Sequence, residues 1–186
     1  QAVIIPVAMH KDGVLDKCRE VYIALKSVAR VKLDDRDFTP GWKFNEYEMK
    51  GVPVRIEIGP RDIENGVATV ARRDKTEEKF TIRLDDIATE LPKLLADIQT
   101  NMYNKALAFR DSHVKIVSDT AELKDAVDSG NFALGMWCGD RECEDKIKEI
   151  TGASTRNMPF DQTPCGDKCV CCGKKATKKI YFGKAY

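Results

Sequence analysis

The chain has 186 residues, 42% of them hydrophobic and 33% charged, with a formal net charge of +1. That length fits one large domain or two small ones. The near-neutral balance excludes bulk charge as a basis for nucleic-acid binding, so any basic surface must be local. No apolar run approaches the roughly 20 residues that span a bilayer, so no membrane partner is expected. The opening at Gln1 carries no signal-peptide pattern and reads as a cut from a longer, cytoplasmic polypeptide. Of the seven cysteines, six follow residue 137. The odd count and absent secretion signal favour a metal over a disulfide framework.

Residues 1–8, QAVIIPVA, predict a buried strand with Pro6 at its end. Asp12–Arg30 predicts an amphipathic helix, with Val14, Cys18, Val21, Tyr22, Leu25 and Val28 on one face. Cys18 falls there as a small core residue. A second strand is expected over Ala29–Asp34. Pro40–Gly66 then reads as a short aromatic helix, a Gly-Val-Pro break, a strand over Val52–Gly59 and a polar loop. In that strand Val54, Ile56 and Ile58 share one face, while Arg55 and Glu57 point the other way. Phe44 and Glu48 are one turn apart on the helix. An aromatic, a carboxylate and a guanidinium are thus grouped, a trio able to stack on an unpaired base and bond its edges. The same pattern also fits an amphipathic helix beside a half-buried strand with solvated charges.

Val67–Arg72 and Lys79–Leu84 predict two more strands, joined by the turn-like RRDKTEE. Pro92 suits the first turn of a longer helix whose core face is Leu94, Leu95, Ile98, Met102 and Phe109. The order β-α-β-α-β-β-β-α predicts an α/β fold with a mixed five-stranded sheet and flanking helices, over residues 1–112. A smaller α+β domain is expected over 113–186. It has strands at VKIV and FALGMW, a helix AELKDAVDS capped by Asp119 or Thr120, a helix over Glu142–Thr151 and a closing strand in KKIYFGKAY.

Cys138 and Cys143 bracket GDRE, Cys169 and Cys172 bracket VC with Gly173 following, and 25 residues separate the pairs. A C-x-x-C-G knuckle suits zinc because glycine lets the turn close. The tail is poor in large apolar side chains, so a structural four-thiolate site would anchor what the core does not. Cys165 and Cys171 compete by proximity. Free buried thiols and a redox dithiol at Cys169 and Cys172 are the alternatives. A catalytic zinc is not expected, since four thiolates leave no open position.

Taken together, WKFNEYEMKGVPVRIEIGPRDIENG, the basic ARRD, CGDRECEDKIKEITGASTRNMPF, CVCCGKKA and the terminal AY resemble the C-terminal part of class II prolyl-tRNA synthetases of the archaeal/eukaryotic type. The resemblance covers essentially the whole chain. It implies an anticodon-binding domain over 1–112 and a zinc-binding domain over 113–186. It implies tRNA(Pro) as partner, a catalytic domain of the same polypeptide using ATP and Mg²⁺, and a homodimeric full-length enzyme. The proline anticodon's two guanines would meet Phe44, Glu48, Arg55 and Arg61, with Arg72, Arg73 and Lys75 as candidate RNA-backbone contacts. Cys138, Cys143, Cys169 and Cys172 would hold the zinc. The Tyr186 carboxylate resembles a family terminus that reaches towards the catalytic domain. No class II catalytic motif is present, so no catalytic residue is expected and the chain alone should not aminoacylate. The rival readings are a free-standing RNA-binding module with structural zinc, and a thiol redox protein.

Overall fold

The computed structural model describes residues 1–185, apart from the side chain of Glu77. The chain divides into two compact units, the first over 1–105 and the second from 106 onward.

The first unit is built on strands β1 (Ala2–Pro6), β2 (Val31–Leu33), β3 (Val54–Ile58), β4 (Val67–Arg72) and β5 (Lys75–Arg83), in the order β2-β1-β3-β4-β5. β1 is parallel to β2 and β3, whereas β3-β4 and β4-β5 are antiparallel. The sheet is therefore mixed, as the element order predicts. On one face, Ile4, Val54, Ile56, Ile58 and Val70 pack against helices α1 (Val14–Leu25) and α4 (Ile87–Ser112). On the other, Val3 and Ile5 pack against Tyr47 and Phe44 of α2 (Pro40–Met49). A short α3 (Pro60–Glu64) follows β3 where the sequence suggested a loop; Pro60 starts it and the Asp62 carboxylate accepts from the Gly59 amide at 2.8 Å.

Three expectations need correction. Helix α1 stops at Leu25, because Val28 and Ala29 donate back to the Leu25 carbonyl in a closing turn, leaving Val28 43% exposed. RRDKTEE is mostly strand, since β5 already begins at Lys75, which pairs with Arg72 across a tight turn. Pro92 lies inside α4, not in its first turn. Burial of Ile87 and Leu91 before it and of Ile98 after it offsets the missing amide donor. No residue of α4 beyond Ile98 is buried, and the compact first unit ends before the helix does.

The β4-β5 turn is clamped to α4. Arg72 Nε and Nη2 donate to Asp74 at 2.9 and 2.7 Å, and Nη1 lies 2.7 Å from the Asp97 carboxylate. Asn101 adds a bond to Asp74 at 2.7 Å.

In the second unit β6 (Val114–Ile116), β7 (Phe132–Trp137), β8 (Ala153–Thr155) and β9 (Lys178–Lys184) form a sheet of order β6-β7-β9-β8. Helix α5 (Thr120–Asp128) connects the parallel pair β6-β7, and Asp119 caps it by accepting from the Ala121 and Glu122 amides, both at 2.9 Å. Leu123, Ala133, Ile147 and Phe182 form its core. Strand β8, too short to carry a pattern, is an addition to the expected elements.

The Arg72 clamp predicts an acid transition. Hydrogen bonds from Arg72 hold the Asp74 carboxyl at about 2 against the opposing effect of burial, below its ordinary 3.8. A pKa lowered on folding stabilises fully above the unfolded value, and that stability is lost as pH falls towards about 2. Asp74→Asn should therefore flatten the unfolding free energy between about pH 4 and 2, read by denaturant titration at each pH. Arg72→Met, which strands the Asp74 carboxylate, should cost about 3 kcal/mol at neutral pH.

Candidate functional site

Helix α2 positions the first site. Thr39 caps it, accepting from the Trp42 amide at 3.4 Å, and Pro40 fills its first turn. Its inner face carries Tyr47 and Lys43, the latter 1% exposed and donating from Nζ to the Asp34 carbonyl at 3.0 Å. Arg36 ties the same loop to the helix through Asp34 and Glu46. Its hydrogen bonds outweigh burial and hold the Asp34 carboxyl at about 2. Phe44 is therefore fixed over the sheet, with Glu48 one turn on and its side chain 60% exposed.

Arg55 is the centre of this site. Although only 8% exposed, it is surrounded by groups that satisfy it. Nη1 donates to Glu48, Nε donates to Glu57 at 2.9 Å, and Cζ stands 4.3 Å from the Phe44 ring centroid. Glu57 in turn accepts from Lys79 Nζ at 2.8 Å, and that Nζ lies 5.0 Å from the same ring. The row is thus Glu48, Arg55, Glu57, Lys79, alternating in sign. This overturns the reading of Arg55 and Glu57 as solvated strand charges: α2 and Lys79 cover them. Beside the row a cleft of about 190 Å³ is lined by Glu48, Arg55, Ala71, Arg72, Arg73 and Thr76, among others.

The other expected residues divide. Arg61 is exposed on α3, and among the described residues no hydrogen bond or ion pair joins its side chain to Phe44, Glu48 or Arg55. Arg73 is exposed and donates to the Gly51 carbonyl at 2.9 Å, at the C-terminal end of α2. Lys75 is half exposed, 3.9 Å from Glu78. Arg72 has its donors committed to the clamp, which suits it to holding the turn rather than to a phosphate. Lys79 was absent from the expected set. Its signal lay in register alone: Arg55, Ala71 and Lys79 pair across β3, β4 and β5 and so share a face.

The second site is a cluster of sulfurs. Cys138 follows β7, and Cys143 lies in the first turn of α6 (Arg141–Thr151), which Asp140 caps. Cys169 and Cys172 come from a knuckle in which the Gly173 amide donates to the Cys169 carbonyl at 3.0 Å, with Gly173 at φ +70°, where a side chain would be strained. Gly135 lets this knuckle seat on β7: a Cβ there would stand 2.7 Å from Val170 Cγ1. The Val170 amide donates to the Met136 carbonyl at 3.0 Å.

The four Sγ atoms lie within 4.8 Å of one another, with Cys138 3.6 Å from Cys143 and 3.9 Å from Cys172. Tetrahedral thiolates at the usual Zn–S length of about 2.3 Å would stand about 3.8 Å apart, so the set fits a four-coordinate ion. Cys165 and Cys171 pack beside the cluster but are not among its sulfurs. For Cys169, burial raises the thiol, but amides of Cys172 and Cys171 and the Cys138 group outweigh it and bring it to about 7. Tyr186 lies outside the described residues.

A sheet whose one helix-covered face presents an aromatic, a carboxylate and a guanidinium, linked in sequence to a four-cysteine unit, matches two family models. Residues 1–94 match the anticodon binding domain, and residues 120–186 match the C-terminal domain of prolyl-tRNA synthetase. The chain belongs to the anticodon-binding domain family, in the form that prolyl-tRNA synthetases carry with their C-terminal domain. It is 50% identical over its whole length to a proline–tRNA ligase of Clostridium novyi (strain NT) and 51% identical to one of Clostridium botulinum (strain ATCC 19397 / Type A). Proline–tRNA ligase 2 of Bacillus cereus (strain ZK / E33L) is 48% identical. The chain spans 39% of the length of each of these relatives.

One thiol stands apart from the cluster. Cys18 is fully buried in the first core, and burial pushes its thiol up to about 12. Iodoacetamide at pH 8 should leave Cys18 unlabelled in the native protein and modify it only as the first unit unfolds, read by peptide mass spectrometry across a denaturant series.

Proposed function

We propose that this chain is the tRNA-reading portion of a proline–tRNA ligase, a cytoplasmic homodimer, in which residues 1–112 read the anticodon of tRNA(Pro) and residues 113–186 form a unit held by one structural zinc. The ATP- and Mg²⁺-dependent attachment of proline belongs, in this reading, to a catalytic domain of the same polypeptide. This chain alone makes no bond.

The observation that carries the proposal is the preorganised set around Arg55. Guanine offers N1–H and N2–H donors, which the exposed Glu48 carboxylate accepts, and O6 and N7 acceptors, which match the Arg55 fork. Phe44 offers a stacking surface, a contact worth about 1–3 kcal/mol per base. Arg61 supplies a further cation from α3, while Arg73 and Lys75 face the phosphates, which position the RNA without specifying it.

In the second unit Cys138, Cys143, Cys169 and Cys172 hold the zinc. Its role is a cross-link. It joins the end of β7, the start of α6 and the 169–173 knuckle, where few apolar side chains are available.

For the RNA, Glu48→Lys or Arg55→Glu should reduce the preference for the two-guanine anticodon about tenfold or more, measured as binding to transcripts with either guanine replaced by adenine. Equal binding of the unmodified chain to all anticodons would overturn the reading. For the metal, we expect one zinc per chain, lost in Cys172→Ser and retained in Cys165→Ser and Cys171→Ser. Elemental analysis with thermal melting decides this, and full zinc occupancy in Cys172→Ser would refute the ligand set.

A further inference from the structure

Glu57 and Lys79 belong to the Arg55 site without facing the cleft that Glu48 and Arg55 line. Glu57 is 6% exposed, and both its oxygens are used: one accepts from Arg55 Nε at 2.9 Å, the other from Lys79 Nζ at 2.8 Å. Lys79 reaches Glu57 from β5, two strands away, across Ala71, whose small side chain leaves the gap open. Its Nζ also stands 5.0 Å from the Phe44 ring, against which Arg55 Cζ rests at 4.3 Å.

We propose that Glu57 and Lys79 are a positioning pair that fixes the direction in which Arg55 presents its Nη groups to a guanine, and so set anticodon specificity without contacting the base. The proposal rests on the guanine-reading function above. When Glu48 turns to accept from a guanine, Arg55 loses its Nη1 partner. An arginine held only there would swing after the departing carboxylate. Held at Nε by Glu57 and at its face by Phe44, it stays in place with its fork open. Lys79 neutralises Glu57, so that Glu57 neither repels Glu48 nor draws the guanidinium inward.

The test compares binding of the chain to transcripts carrying the two-guanine anticodon with binding to transcripts in which either guanine is adenine. Lys79→Met should reduce the guanine preference about tenfold while changing affinity for the adenine transcripts less than about twofold, and Lys79→Arg should restore most of it. Glu57→Gln should act in the same direction. Should Glu57→Gln fail to fold, Lys79→Met still decides, because that side chain is 46% exposed. If Lys79→Met weakens every transcript equally with a shallower salt dependence, Lys79 is a phosphate contact and the proposal is wrong. If the preference is unchanged, the pair is only structural. If the unsubstituted chain shows no preference, the guanine-reading function itself fails, a distinct result.

Discussion

A guanidinium taken out of water must find partners for its charge and its donors, or it will not stay buried. Arg55 imposes that requirement on the first unit. Meeting it draws a carboxylate from α2, a carboxylate from its own strand and an ammonium from β5 onto one face of the sheet. The helix, the strand register and the small residue at position 71 all fit this arrangement. Of these charges Glu48 and Arg55 line the cleft, while Glu57 and Lys79 stand behind them.

The second unit meets a different shortage. Its apolar core is made mainly by α5, α6, β7 and β9, and of the buried residues in 156–175, where the chain is largely irregular, only Val170 joins it. The four sulfurs gather where that core thins out, with Met136, Cys143, Cys169 and Ala176 forming a small cluster of their own. A coordinated ion, as proposed, would supply there what burial supplies elsewhere, and its contribution would grow with the deprotonation of its ligands.

Most of this was legible in the chain. The five strands and their helices follow from period-two and helical patterns, and the cysteine spacing selects four ligands once the resemblance is allowed. Hidden features shared one property: they depend on contacts distant in sequence. Pro92 cannot be placed in mid-helix without knowing that Ile87 and Leu91 before it and Ile98 after it are buried against the sheet and α1. The commitment of Arg72 depends on Asp97, on another element. Lys79 looks like one more charge on an exposed strand until the register of three strands sets it beside Glu57. Conversely, alternation alone placed Arg55 and Glu57 on a polar face, and only the covering helix reveals that the face is not wet.

Strand β5 ends the sheet, and its nine residues leave one row of backbone donors and acceptors without a neighbouring strand in the sheet. Such a row is a template on which a stray strand can build. Lys75, Glu78, Lys79 and Arg83 are all exposed along it. Two strands brought edge to edge there would have to bury or crowd these charges. The lysine that neutralises Glu57 therefore also guards against self-association. Neutral substitutions along this strand would remove that protection, and the loss would appear as precipitation at high protein concentration well before any loss of fold.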